Sequence, residues 1–308
     1  MIRLLFSALL AFTLLTGCTA PQQDALLEKF VDYGRQKAGL ELKHIQLADS
    51  NMAYLERQGS GPSVMLVHGF SANKDTWLAL VPELPKDWHI IIPDLTGHGE
   101  TTASPEANYL LTSQAQRLHE LSTLLQLGKT HLVGNSMGGA ISMIYAATYP
   151  KDTASLVLMD AAGMNAPEPS EYMQALARGE NPLIATDEAS FNYRWEFVMS
   201  KRPPLVWPLK PAMIRKTLER VDINRKIFDD MLATQALLGD DFEQHLAQAT
   251  MPVMIMWGEE DRVLDKSAIG EFKKHLPQAS VVVYEGIGHL PMVEAPKQTA
   301  KDLTAFIK

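Results

Sequence analysis

From Leu42 onward, short apolar runs alternate with longer stretches whose apolar residues recur every three or four positions. Leu42–Leu47 and Met52–Glu56 read as a hairpin pair, with Asp49-Ser50-Asn51 as turn residues. Val64–Val67 and His89–Ile92 are continuous apolar runs, the pattern of strands buried on both faces. Leu111–Leu127 carries helical spacing at Leu111, Ala115, Leu118, Leu121, Leu124 and Leu125, and Gly128 stops it. His131–Val133 predicts a strand, and Met137–Tyr149 predicts a helix that ends before Pro150. Leu156–Met159, Val253–Trp257 and Val281–Tyr284 complete the strand series, and Pro296–Ile307 is a closing helix. Strand and helix alternating in this way predict an α/β fold, a mainly parallel central sheet with helices on both faces.

The rhythm breaks twice. Residues 163–250 contain no strand-like run, only helical patterns punctuated by Pro167, Pro169, Pro182, Pro203, Pro204, Pro208 and Pro211. They predict a helical cap inserted between two strands, which leaves residues 41–162 and 251–308 as the core. The cap holds Trp195, Phe197 and Met199 among many apolar residues, some of which are expected to line a pocket while the rest pack against the core. Ahead of the core, Arg3 precedes an apolar run, Leu4–Leu15, too short to serve comfortably as a permanent membrane span. That run ends in Leu15-Thr16-Gly17-Cys18, which resembles the lipobox of bacterial lipoproteins. The resemblance implies that residues 1–17 are a signal peptide and that Cys18 is acylated. Thr19 after the cysteine points to the outer membrane of a Gram-negative cell envelope; the plainer alternative is secretion. Residues 18–40 then read as a tether, Ala20 to Asp24, and a small amphipathic helix bearing Leu26, Leu27, Phe30, Val31 and Tyr33.

Composition narrows this little. A chain of 308 residues can bury one large core plus an inserted subdomain. The net charge of −8 leaves no basic stripe for phosphates, so a nucleic-acid partner is excluded. Cys18 is the only cysteine, so no internal disulfide can form. Oligomeric state is not legible.

The chemistry concentrates at Gly134-Asn135-Ser136-Met137-Gly138, between a predicted strand and a predicted helix. A nucleophile on so sharp a turn needs neighbours without Cβ atoms, and the turn lifts its hydroxyl beside a helix N-terminus. A serine hydroxyl also needs a base. Of nine histidines, His289 alone follows the last strand, in the loop Gly286-Ile287-Gly288-His289. The acid that orients such a base is expected after the penultimate strand, where Glu259, Glu260 and Asp261 compete. Asp261 is preferred, and Asp160, at the end of an earlier strand, is its rival. An oxyanion needs donors, for which the backbone N–H groups of Met137 and Phe70 are the candidates. His68, Asp94 and His98 read as loop-fixing residues, and the histidines and carboxylates show no paired metal-ligand spacing.

His68-Gly69-Phe70, Pro93-Asp94-Leu95-Thr96-Gly97-His98-Gly99, Gly134-Asn135-Ser136-Met137-Gly138-Gly139, Trp257-Gly258-Glu259-Glu260-Asp261 and Gly288-His289-x-Pro291-Met292-Val293-Glu294 together resemble the α/β-hydrolase superfamily. Gly69 to Asp75, Asn135 to Ser142 and Glu196-Phe197-Val198-Met199 are similar to the family V bacterial lipases of the cold-adapted lipase 1 type. The resemblance implies hydrolysis of acylglycerols or related lipid esters through an acyl-enzyme, with Ser136, Asp261 and His289 as triad and no cofactor or metal. Phe70, Trp195, Phe197, Met199 and Leu290 are then the expected pocket residues, and a membrane, reached through the lipid anchor, is the expected partner. Rival readings are a short-chain carboxylesterase, a carbon–carbon bond hydrolase of ring-cleavage products, and a non-catalytic lipid-binding envelope lipoprotein. The carbon–carbon hydrolases typically carry Trp after the base, where Leu290 stands here. Hydrolases with an aspartate nucleophile are excluded by Ser136.

Overall fold

A computed structural model describes residues 17–247 and 249–308, with residues 235–247 described only as helical backbone. The apolar run Leu4–Leu15 and the first two positions of the lipobox lie outside these residues. Among the described residues, no helix is long and apolar enough to cross a membrane.

The strands are β1 (Glu41–Gln46), β2 (Ser50–Arg57), β3 (Ser63–Val67), β4 (His89–Pro93), β5 (Thr102–Ala103), β6 (Thr130–Asn135), β7 (Thr153–Met159), β8 (Val253–Gly258) and β9 (Ser280–Tyr284). They form one sheet in the order β1-β2-β4-β3-β6-β7-β8-β9, with the short β5 on β2. β2 pairs antiparallel with β1 and β4, whereas β4, β3, β6, β7, β8 and β9 run parallel, with Leu66 opposite Val133 and Val133 opposite Val157. The continuous apolar runs become the centre of this sheet because both of its faces are covered. One face packs against α2 (Leu111–Leu124), α3 (Met137–Thr148) and α8 (Ala268–His275) through Leu118, Ile141 and Phe272. The other packs against Trp77, Leu84 and α9 (Pro296–Phe306) through Leu303.

Between β7 and β8 the chain leaves the sheet and forms α4 (Glu171–Ala177), α5 (Glu188–Phe197), α6 (Leu209–Leu218) and α7 (Val221–Ala247). The parallel strands β3, β6, β7 and β8 all point their carboxyl ends toward one rim of the sheet, which is where this fold class builds sites.

Three elements differ from the sequence expectation. Ser50 and Asn51 are strand residues rather than turn residues, since Asn51 pairs with Gln46 and Leu47 N–H bonds to Ser50 C=O at 2.8 Å. Helix α2 stops at Leu124, because Gln126 and Gly128 take left-handed backbone angles of 54° and 65°. The stretch expected as a tether is helical from Ala20, in α1 (Ala20–Lys37). A capping box between Thr19 and Gln22 starts it, and Arg215 of α6 holds it through Gln23, Asp24 and the Ala20 carbonyl. Leu26, Phe30 and Tyr33 nonetheless stay exposed on α1.

One buried ion cluster ties this N-terminal helix to the loop after β3. Lys74, 1% exposed, sends its ammonium to Asp94 Oδ2 at 2.6 Å and to Glu100 Oε1 at 2.7 Å. Arg35 of α1 makes two bonds of 2.7 Å to Asp75 and one of 2.8 Å to Glu100. Removing a single charge from a buried pair leaves its partner unpaired, which costs about 3–5 kcal/mol. Lys74→Met is therefore expected to lower the unfolding free energy by about that amount in urea titration; a loss below about 1 kcal/mol would show that Asp94 does not depend on it.

Candidate active site

Ser136 stands between β6 and α3, with φ 56° and ψ −122°, a strained combination for a residue with a side chain. The surrounding glycines make it possible. A Cβ on Gly134 would lie 2.3 Å from the Gly138 carbonyl oxygen, and one on Gly138 would lie 2.3 Å from that of Val67. The turn is stitched by the Ser136 carbonyl, which accepts from the N–H groups of Gly139 at 2.9 Å and Ala162 at 3.0 Å.

The loop after β9 brings His289 to the same rim. Its Nδ1 lies 2.7 Å from Asp261 Oδ2, and the pair is buried. Asp261 follows β8, and its Oδ1 accepts from the N–H groups of Val263 at 2.7 Å and Leu264 at 3.1 Å, which fixes the carboxylate plane. With a carboxylate facing Nδ1, the proton sits there and Nε2 keeps its lone pair. Asn135, beside Ser136, donates its side-chain amide to the carbonyls of Met159 at 3.2 Å and His289 at 3.1 Å. That second bond ties the histidine loop to β6.

Asp160 lies in the same cluster: one side-chain atom each from Asp160, Asp261 and His289 falls within 4.8 Å of the others. It does not take the histidine. Its Oδ1 accepts from Gly258 N–H at 2.7 Å, in a residue whose φ of 44° marks another strained strand end. Complete burial, and after it the charge of Asp261, pushes the Asp160 carboxyl well above the ordinary carboxylate range. Its Oδ2 is buried with no hydrogen-bond partner among the described residues.

The loop after β3 presses on Ser136 from the other side, since a Cβ on Gly69 would lie 3.0 Å from Ser136 Cβ. Neither Phe70 N–H nor Met137 N–H donates to a protein acceptor among the described residues, so both stay free beside the serine. His68 braces this loop: Nδ1 bonds to Gly69 C=O at 2.8 Å, and Nε2 accepts from Leu95 N–H at 3.1 Å. Burial lowers the pKa of His68, and lowers that of His98, edge-on to it at 5.0 Å, much further. Asp94 accepts from the backbone N–H groups of Lys74 and Glu100, both at 2.8 Å.

A cavity of about 940 Å³ reaches Ser136 and His289 and is walled by the loop after β3, α1 and the cap. Phe70, Trp195 and Leu290 line it. Phe197 and Met199, expected there, do not. Phe197, 2% exposed, packs with Tyr172, Leu183 and Val263, and Met199 lies past the end of α5 against Gly288. Helical phase decides: Phe191, Arg194, Trp195 and Val198 share one stripe of α5 and face the cavity, while Phe197 falls on the other side. Two anchoring residues were assigned no role from the sequence, although Glu294 closes the motif that begins at Gly288. Glu294 accepts from the N–H groups of Ser200, Lys201, Gly288 and Leu290, clamping the cap to the histidine loop. Arg194 bonds to the Ser71 hydroxyl at 2.8 Å.

Comparisons with known proteins agree with this architecture. Residues 62–296 match the alpha/beta hydrolase fold family. The chain is 36% identical to Lipase 1 of Psychrobacter immobilis, over 99% of this chain and 96% of the relative. It is 30% identical to monoacylglycerol lipase ABHD6 of Bos taurus, over 92% and 87% respectively. Among solved structures it resembles a bacterial membrane phospholipase A with a TM-score of 0.87 and 35% identity, covering 99% of this chain and 98% of that one. The sheet order, the turn at Ser136 and these likenesses lead to one conclusion: the chain belongs to the α/β-hydrolase family and is an ester hydrolase of the lipase/esterase kind.

Proposed function

We propose that Ser136, His289 and Asp261 act as a catalytic triad that hydrolyses acylglycerols or related lipid esters through an acyl-enzyme. The observation that carries this reading is the 2.7 Å contact between His289 Nδ1 and Asp261 Oδ2 at the cavity that holds Ser136. His289 Nε2 takes the Ser136 hydroxyl proton as Oγ attacks the ester carbonyl, and the oxyanion is received by the N–H groups of Phe70 and Met137. Collapse of the tetrahedral intermediate breaks the bond to the alcohol, which leaves with the proton from His289. Water then attacks the acyl-enzyme, losing a proton to the same nitrogen; collapse breaks the acyl–Oγ bond, His289 returns the proton to Ser136 Oγ, and the carboxylic acid departs. Asp261 keeps the productive tautomer and stabilises the imidazolium formed in each half.

The substrate class rests on two supports. The cavity is large enough for an acyl chain and has apolar lining at Leu183, Phe191, Trp195, Val198 and Leu290. Relatives named as lipases match the chain end to end. The half-buried Cys18 stands just before α1, whose residues Leu27 and Val31 line the cavity. Lipidation there, in the cell envelope, would hold the cavity close to a membrane source of lipid esters.

Ser136→Ala is expected to lower kcat/KM for p-nitrophenyl butyrate by on the order of 10⁴-fold or more, and retained activity would move the nucleophile elsewhere. Asp261→Asn is expected to cost about 10³–10⁴-fold in kcat, far more than Asp160→Asn, because it reverses the His289 tautomer. The opposite ranking would make Asp160 the orienting acid. In cells fed labelled palmitate, the full-length chain is expected to take up label and Cys18→Ala to take up none; label persisting in the variant contradicts lipidation at Cys18.

A further inference from the structure

The cap wall of the cavity holds a cation with no anion. Arg194 sits on the cavity-facing stripe of α5, partly buried, and among the described residues no carboxylate lies within 4.0 Å of its guanidinium. Among the described residues its one hydrogen bond goes from Nη1 to Ser71 Oγ at 2.8 Å, which leaves most of its five N–H donors without a protein acceptor there. Burial without a compensating charge pushes its pKa down to about 10. Of the other cations in the cavity wall, Arg220 bonds to the Gly97 carbonyl and, among the described residues, also has no carboxylate within 4.0 Å, whereas Arg35 is matched with Asp75 and Glu100, and Lys216 with Glu28. Arg194 is left out of that pairing.

The surroundings are polar in the same sense. Asn224 of α7, 2% exposed, donates its amide to the same Ser71 hydroxyl at 3.0 Å, and the amide's other end is buried without a partner. Ser71 lies two residues after Gly69, the point where the loop touches Ser136, and is held at a φ of 58°. The guanidinium is thus fixed a short way along the oxyanion loop from the nucleophile. A desolvated, unpaired charge is costly and is retained where a ligand completes it. Planar N–H pairs of this kind match phosphate oxygens.

We propose that Arg194, with Ser71 and Asn224 holding it, recognises the phosphate of an anionic glycerolipid whose acyl carbonyl lies at Ser136. The substrate class of the proposed ester hydrolysis is thereby extended from neutral acylglycerols to acylated glycerol phosphates. The inference rests on that proposed reaction, and a salt bridge to a substrate phosphate replaces the missing protein carboxylate.

The test is a matched pair, 1-decanoylglycerol and 1-decanoylglycerol 3-phosphate, which differ only in the phosphate. In Arg194→Gln the ratio of kcat/KM for the phosphate ester to that for the neutral ester is expected to fall about tenfold or more, mainly through KM, the size of one charge-assisted hydrogen bond. Arg194→Lys, which keeps the charge, is expected to retain a ratio between those of the wild type and the Gln variant. A ratio unmoved in Arg194→Gln, including an equal fall for both esters, would make Arg194 a brace for Ser71 alone and overturn the inference. Competitive inhibition of decanoylglycerol turnover by inorganic phosphate, at concentrations matching the KM of the phosphate ester, would assign the site to the free ion and overturn the head-group reading. Wild-type protein that hydrolyses neither ester would sink the proposed reaction too. Wild-type protein that hydrolyses decanoylglycerol, with a ratio indifferent to Arg194, would sink this inference only.

Discussion

Everything at the rim of the sheet depends on one steric constraint, the turn from β6 into α3 at Ser136. The residue's φ of 56° is tolerable only because backbone oxygens of Gly138 and Val67 fill the places where Cβ atoms of Gly134 and Gly138 would stand. The approach of Val67 to Gly138 fixes where β3 ends. The loop that follows β3 is then laid against the serine with Phe70 N–H free. A strained turn of this kind persists only where its surroundings over-determine it, and the parallel ladders β3–β6 and β6–β7 supply that rigidity.

Around this turn, separate parts of the chain are held by few but buried polar links. Asn135 binds the histidine loop to β6, Glu294 binds the cap to the histidine loop, and Arg194 and Asn224 bind the cap to the loop after β3. Lys74 and Arg35 extend the chain of contacts to Asp94 and to helix α1. Helix, cap and sheet therefore meet at the cavity through side chains whose loss would leave a buried group unpaired. The cavity itself combines an apolar stripe with the guanidinium of Arg194, which has no carboxylate partner among the described residues, a combination suited to a ligand with an acyl chain and an anionic end.

The parallel core was legible because strands covered on both faces must be continuous apolar runs, and Val64–Val67 and Val253–Trp257 are just that. The turn at Ser136 was legible because glycines there answer a local steric demand. Three things were not. Helix α5 is apolar around much of its circumference, packing Phe197 into the cap on one side and presenting Phe191 and Trp195 to the cavity on another, so no single face stood out in the sequence. The competition between Asp160 and Asp261 turns on which of them meets His289 from the loop after β9 and which is held by Gly258 at the end of β8, and no local pattern encodes it. The start of α1 at Ala20 depends on a capping box and on Arg215, nearly two hundred residues away, so a short polar stretch looked like a tether.

The central claim, that Ser136 is the nucleophile of an ester hydrolase, is tested most directly by covalent trapping. Incubation with a p-nitrophenyl alkylphosphonate, followed by peptide mass spectrometry, is predicted to give one phosphonyl group per chain, on Ser136, in step with loss of esterase activity. Inactivation with the adduct on another residue, or undiminished activity once Ser136 is fully modified, would contradict it.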